Sequence, residues 1–373
     1  MNQFQKNCKD LIYICRSAAN NKNLSYDRIS EMDLNAIYNI SSHHMLTATV
    51  AYALEKAGIK DEHFRAAQAK AIRRAVIFET AWKNIAAKLE ENKIWYMPLK
   101  GAIIKDYYPS FGIREMSDYD ILFDADRADR VREIMEELGF STETLGRGIH
   151  DCYHKPPVLN FEMHTCLYPS WIDQEKHHYY RDVKVRLQQK QGYEFRFTPE
   201  DLYIYLVAHE YKHYASGGTG LRSLLDTYLF LKKEKLDWGY IRSECKKLGI
   251  EEFEAMNRSL TMHLFSAGKM SVEEKEMLKY ILTSGTYGTF SNMVENGISQ
   301  KGRLGFFFSK LTLPFPLLAG DYPILRAHPN LYLLISLWRL IHGFFFKHDQ
   351  FMYQVKAIFT KQSKSTVNKR SRT

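Results

Sequence analysis

Only five cysteines occur in the 373 residues, at positions 8, 15, 152, 166 and 245, and no two form a CxxC pair. An odd number without paired spacing argues against a disulfide framework or a cysteine-based zinc knuckle, and makes a reducing, cytoplasmic setting the expectation. The N-terminal stretch MNQFQKNCKDLIYICRSAAN lacks the uninterrupted apolar core of a signal peptide. A long apolar run is missing as well. The most apolar late segment, LYLLISLWRLIHGFFF (331–346), is interrupted by Arg339 and His342 and is short for a bilayer span. It reads as a buried or interfacial helix, and no transmembrane segment is expected.

Charge of one sign is scarce in the body of the chain. The formal net charge is +9, but the last thirteen residues, KQSKSTVNKRSRT, hold five Lys/Arg and no acid, which leaves +4 for the rest. That balance does not describe a nucleic-acid-coating protein. The tail reads as a disordered, solubilising terminus, with contact to RNA or another anionic partner as the alternative.

What is present fits a soluble globular protein: 45% hydrophobic and 25% charged residues, in a chain long enough for two or three domains. Residues 1–92 form a helical region, with apolar residues at three- and four-residue spacing over 33–57 and 63–92. The pattern changes at 93. KIWYMPL reads as a strand, KGAIIKDYYP as a glycine turn opening a short helix, and 118–124 as a second strand. A helix follows, stopped near Gly139. Strand-like runs come near 149–154, 158–167 and 193–197, and TPED marks a helix start capped by Thr198. The expected fold class is α+β: a small mixed-sheet core at 93–197 between N-terminal and C-terminal (198–360) helical regions, with a basic tail at 361–373.

The chemistry concentrates in REMSDYDILF (114–123). In a strand, residues i and i+2 share a face, so Tyr119, Ile121 and Phe123 point one way while Asp118 and Asp120 stand together on the other. Adjacent carboxylates repel, and a cation between them relieves that. In LNFEMHTCLY (159–168) the same alternation puts Glu162 on a polar face, with His164 beside it. Three carboxylates on adjacent strands make a hard oxygen site suited to Mg²⁺. Such a site serves in-line phosphoryl or nucleotidyl transfer, where two metals about 3.5–4 Å apart hold the attacking and leaving oxygens. Upstream, LKG (99–101) opens a helix whose free N–H groups can take a triphosphate.

Strand–LKG–helix, then REMSDYDILF, then FEMH, resembles the uncharacterised nucleotidyltransferase family of the DNA polymerase beta-like superfamily. The likeness is firmest over 94–168. It implies a transferase that moves a nucleoside monophosphate from an NTP such as ATP to an acceptor hydroxyl. It also implies Asp118 and Asp120 as ligands of two Mg²⁺ and Glu162 as the third acid. Lys100 and Gly101 would lie on the triphosphate, with Arg114 as a phosphate contact. Ala102 departs from the superfamily pattern, which has Gly or Ser there. The acceptor, whether small molecule, sugar, protein or RNA, is not specified.

Two readings compete. A pseudo-transferase would keep the fold and bind a nucleotide or partner without turnover. HEYKH (209–213) matches H-E-x-x-H, so a zinc hydrolase would use His209 and His213 as ligands, Glu210 as base and Glu234 as third ligand. Lys212 inside that motif argues against it. His209 and His213 otherwise border the transferase cleft, as do His164 and Asp226. Arg222 and Asp226, at i and i+4, form an expected ion pair.

Overall fold

The computed structural model describes residues 2–144, 150–346 and 348–359; the basic tail lies outside them. One mixed sheet organises the centre. Its strands are β1 (Tyr96–Pro98), β2 (Tyr119–Phe123), β3 (Ser141–Thr144), β4 (His150–Lys155), β5 (Leu159–His164), β6 (Leu187–Gln191) and β7 (Glu194–Phe197). They lie in the order β3-β4-β5-β2-β1-β7-β6. The central strand β2 runs antiparallel to β1 and parallel to β5.

Every residue of β2 is buried, because both faces of the sheet are covered. Tyr119, Ile121 and Phe123 pack with Phe161 and Met163 of β5 beneath the long helix Glu62–Glu91 and the helix Ala128–Glu137. Tyr119 stacks between Trp82 and Phe161, with ring centroids 5.3 Å away on each side. Offset stacks of this kind add to the area term and fix strand register. On the opposite face, Met97, Leu99 and Leu122 join a larger core that includes Ile204 and Ala208 of the helix Pro199–Ser216 and Leu221 and Leu224 of the helix Leu221–Lys233. The N-terminal helix Gln3–Ala19 belongs to the same core, and its Arg16 donates to the carbonyl of Leu264. The first helix and the C-terminal helices are therefore packed together over one face of the sheet, while the long helix Glu62–Glu91 covers the other.

The helix starting at Pro199 is capped as the sequence predicts: Thr198 Oγ1 accepts from Asp201 N–H at 3.1 Å. The stretch 33–57 differs. It forms two helices, Leu34–His43 and Thr47–Lys56, parted at Met45, whose φ of 53° is left-handed. The break places Thr47 Oγ1 and the Ala48 N–H on the Glu115 carboxylate and sets His44 Nδ1 to accept from Leu221 N–H. A continuous helix would lose these ties to the segment that leads into β2. The late apolar run does form a helix, Tyr332–Phe346, but it is not buried: Leu334 is 65% and Trp338 55% exposed.

Candidate active site

The site begins with a register. β1 and β2 run antiparallel, and Leu99 N–H donates to the Asp120 carbonyl at 2.9 Å, so the turn after β1 sits beside the start of β2. Lys100 occupies that turn with φ 45° and ψ −117°, a conformation L residues rarely adopt. Strain of this kind persists where the surroundings over-determine it. Here Lys100 Nζ is held 2.7 Å from Asp120 Oδ1. Next to it Gly101 has no room for a side chain, since a Cβ would lie 2.5 Å from Arg114 Nη1.

Asp118 immediately precedes β2 and accepts from Ser117 Oγ at 3.1 Å. Asp120 is 4% exposed and sits opposite Glu162 across the β2–β5 pair. His164 Nε2 lies 2.8 Å from Asp120 Oδ1 and 3.6 Å from Glu162 Oε2. Electrostatics separates the two aspartates. Burial raises the Asp118 pKa, and the charges of Asp120 and Glu162 push it further the same way. Burial acts against the Asp120 charge too, but Lys100 and His164 outweigh it and hold that carboxyl well below the usual range. Asp118 is therefore an acid whose ionised form burial and its neighbours disfavour.

These residues line one cavity of about 370 Å³ with Lys100, Gly101, Arg114, His209, His213 and Asp226. The ten residues expected from the sequence for the transferase site and its cleft all border it. Arg114 is not free, however. Its Nε and Nη2 donate to the two oxygens of Asp226 at 2.9 and 2.7 Å, and Tyr108 Oη donates to Asp226 Oδ1 at 2.7 Å. The expected Arg222–Asp226 pair is replaced by this clamp, and Arg222 instead donates to the Glu115 carbonyl. A planar guanidinium meeting both carboxylate oxygens is the stronger arrangement for a buried pair.

His209 and His213 stand one turn apart on the cavity wall, with their Nε2 atoms 3.0 Å apart. Burial and the nearby Lys100 charge lower the His209 pKa well below its ordinary value. The zinc-hydrolase geometry fails here. Glu210, which would be the base, accepts from Ser223 Oγ and Asn257 Nδ2 on neighbouring helices, and Glu234 accepts from Tyr107 Oη. Among the described residues the clusters of three metal-ligating side chains are Asp120–Glu162–His164 and His150–Cys152–Glu162, and neither contains His209 or Asp118.

Sequence reasoning missed His150. It pairs in register with His164 across β4 and β5, and its Nε2 lies 3.6 Å from Glu162 Oε2. No motif points to it; only the strand pairing brings it in. Lys212 and Tyr205 also line the cavity.

The cavity thus lies on a mixed sheet where carboxylates converge from two neighbouring strands beside a lysine–glycine turn. The chain belongs to the family described as uncharacterised nucleotidyltransferase, whose model matches residues 30–266. No curated protein and no solved structure matches the chain. The family segment contains the whole sheet and every residue named above as lining the cavity.

Proposed function

We propose that the protein transfers a nucleoside monophosphate from an NTP to an acceptor hydroxyl, with Asp118, Asp120 and Glu162 as its metal-binding acids. The observation that supports this most is the meeting of all three carboxylates in one cavity, Asp118 just before β2, Asp120 on it and Glu162 opposite on β5. The donor set fits a hard divalent cation: the acids are oxygen ligands, and a cation would favour the ionised form of Asp118, which burial and its neighbours disfavour. Bound Mg²⁺ would supply charge neutralisation at the phosphates.

In the reaction the acceptor oxygen attacks the α-phosphorus, the α–β phosphoanhydride bond breaks, and pyrophosphate leaves with the electron pair. Glu162 takes the acceptor hydroxyl proton. Lys100 supplies a cation to the phosphates from a turn whose backbone is already fixed, and Gly101 lets Arg114 pass close behind that turn. Arg114 acts by bracing the turn against Asp226 rather than by gripping phosphate, because its guanidinium already bonds both Asp226 oxygens.

The test is pyrophosphate release from each NTP with pooled acceptor candidates, in wild type and Asp118→Asn. Release that needs Mg²⁺ and is lost in the variant supports the reading. Nucleotide binding that is independent of Mg²⁺ and never leads to release would identify a binding module instead.

A further inference from the structure

Net charge and apolar exposure converge on one end of the chain. Residues 301–373 hold twelve of the 52 Lys/Arg but only two of the 43 Asp/Glu, so this segment carries +10 and the 300 residues before it carry −1. In its described part, apolar side chains face outward. On the helix Tyr332–Phe346, Tyr332 and Ile335 pack inward on Leu318, Ala319 and Leu325, and Ser336 is buried. The opposite side presents Leu333, Leu334, Leu337, Trp338 and Ile341, each at least 50% exposed. The spacing is that of an amphipathic helix, but the apolar stripe faces away from the protein. The helix Phe290–Leu311 adds exposed Leu304 and Phe308. Clustered apolar exposure marks an interaction surface.

We propose that the exposed apolar side of the helix Tyr332–Phe346, with Leu304 and Phe308, forms an in-plane docking surface for an anionic lipid bilayer. The apolar stripe enters the boundary between headgroups and acyl chains, and the positive charge of the segment that carries it favours lipid phosphates. The helix Tyr332–Phe346, at 1.5 Å per residue, extends only about 22 Å, short of a hydrocarbon core of about 30 Å. No described helix is long and apolar enough to cross a membrane, which fits a helix lying along the surface. A second copy of the chain is the poorer occupant, because two segments of +10 repel each other, whereas anionic lipid attracts them. Trp338 and the phenylalanines suit the interfacial layer. The surface lies beyond residue 266, where the family match ends, and beyond Tyr287, the last residue in the chain that lines the cavity.

The experiment is flotation of the full chain with phosphatidylcholine vesicles, with and without phosphatidylglycerol, at low and high salt. The comparison protein is Leu334→Glu/Trp338→Glu, with Leu337→Ser as a milder second variant should the double variant melt lower. The proposal expects binding to anionic vesicles at least about tenfold above neutral ones, weakened by salt and lost in the variants. Absence of binding, or equal binding to both vesicles, overturns it. So does a wild-type dimer by light scattering that the variants convert to monomer without any vesicle binding.

Discussion

Asp120 on β2 and Glu162 on β5 face each other in parallel register, and His164 Nε2 lies between them, 2.8 Å from one carboxylate and 3.6 Å from the other. Lys100 reaches the same Asp120 oxygen from the turn after β1. The two strands therefore bring together acids that would repel, and two basic side chains hold one of them charged while Asp118 is left opposed by its neighbours.

That asymmetry separates the two aspartates experimentally. Asp118→Asn removes a charge that burial and adjacent carboxylates disfavour, so melting temperature should stay level or rise slightly while transfer falls by two orders of magnitude or more, about the cost of losing one preorganised electrostatic group. Asp120→Asn instead strands Lys100 without its counter-charge. Breaking a buried pair costs about 3–5 kcal/mol, so this variant should lose both activity and several degrees of melting temperature. Thermal melts beside pyrophosphate release decide between the patterns.

Gly101→Ala should damage the turn without touching any charge. Its Cβ would meet Arg114 Nη1, and Arg114 cannot swing away while Asp226 holds both its donors. Overpacking of this kind costs about 1–3 kcal/mol. A melt indistinguishable from wild type would show that the guanidinium is more mobile than the clamp implies.

The clamp itself predicts a hierarchy. Asp226→Asn leaves the Arg114 guanidinium, 9% exposed, without the counter-charge of this clamp, and should destabilise by about 3–5 kcal/mol. Arg114→Lys should not restore the fit, since one ammonium cannot bond both oxygens in the fork geometry. Denaturant titration of the two variants measures this.

Glu210 supplies a pH signature. Burial raises its pKa to about 7, with Ser223 and Asn257 partly opposing. A carboxyl raised in the folded state stabilises it below the unfolded value near 4.5, and that stability is lost as pH rises through about 7. Glu210→Gln, which mimics the protonated form, should melt close to wild type near pH 4.5 and progressively above it toward pH 8. A difference that does not change with pH contradicts the assignment.

The shared side of Asp118 and Asp120 is legible in the sequence because β-strand alternation is local: Tyr119, Ile121 and Phe123 mark one apolar face, and both aspartates line the cavity on the other. Thr198 and Pro199 announced their helix for the same local reason. What stayed hidden depends on pairing over distance. Arg114 meets Asp226 across 112 residues, where the local i, i+4 rule pointed to Arg222. His150 reaches Glu162 only through the β4–β5 register. The edge strand β6, LQQKQ, has mostly exposed side chains and so no apolar alternation to reveal it. The helix Tyr332–Phe346 was recognisable as a helix, but composition alone cannot say whether protein covers its apolar side.

The central claim is that Asp118, Asp120 and Glu162 form a divalent-metal site for a nucleoside triphosphate. Calorimetric titration of each NTP, with and without Mg²⁺, into wild type and Asp118→Asn tests it most directly. The account predicts saturable binding of at least one NTP that requires Mg²⁺ and is lost in the variant, whose fold is intact. Binding that is unchanged by Mg²⁺ or by the substitution contradicts it.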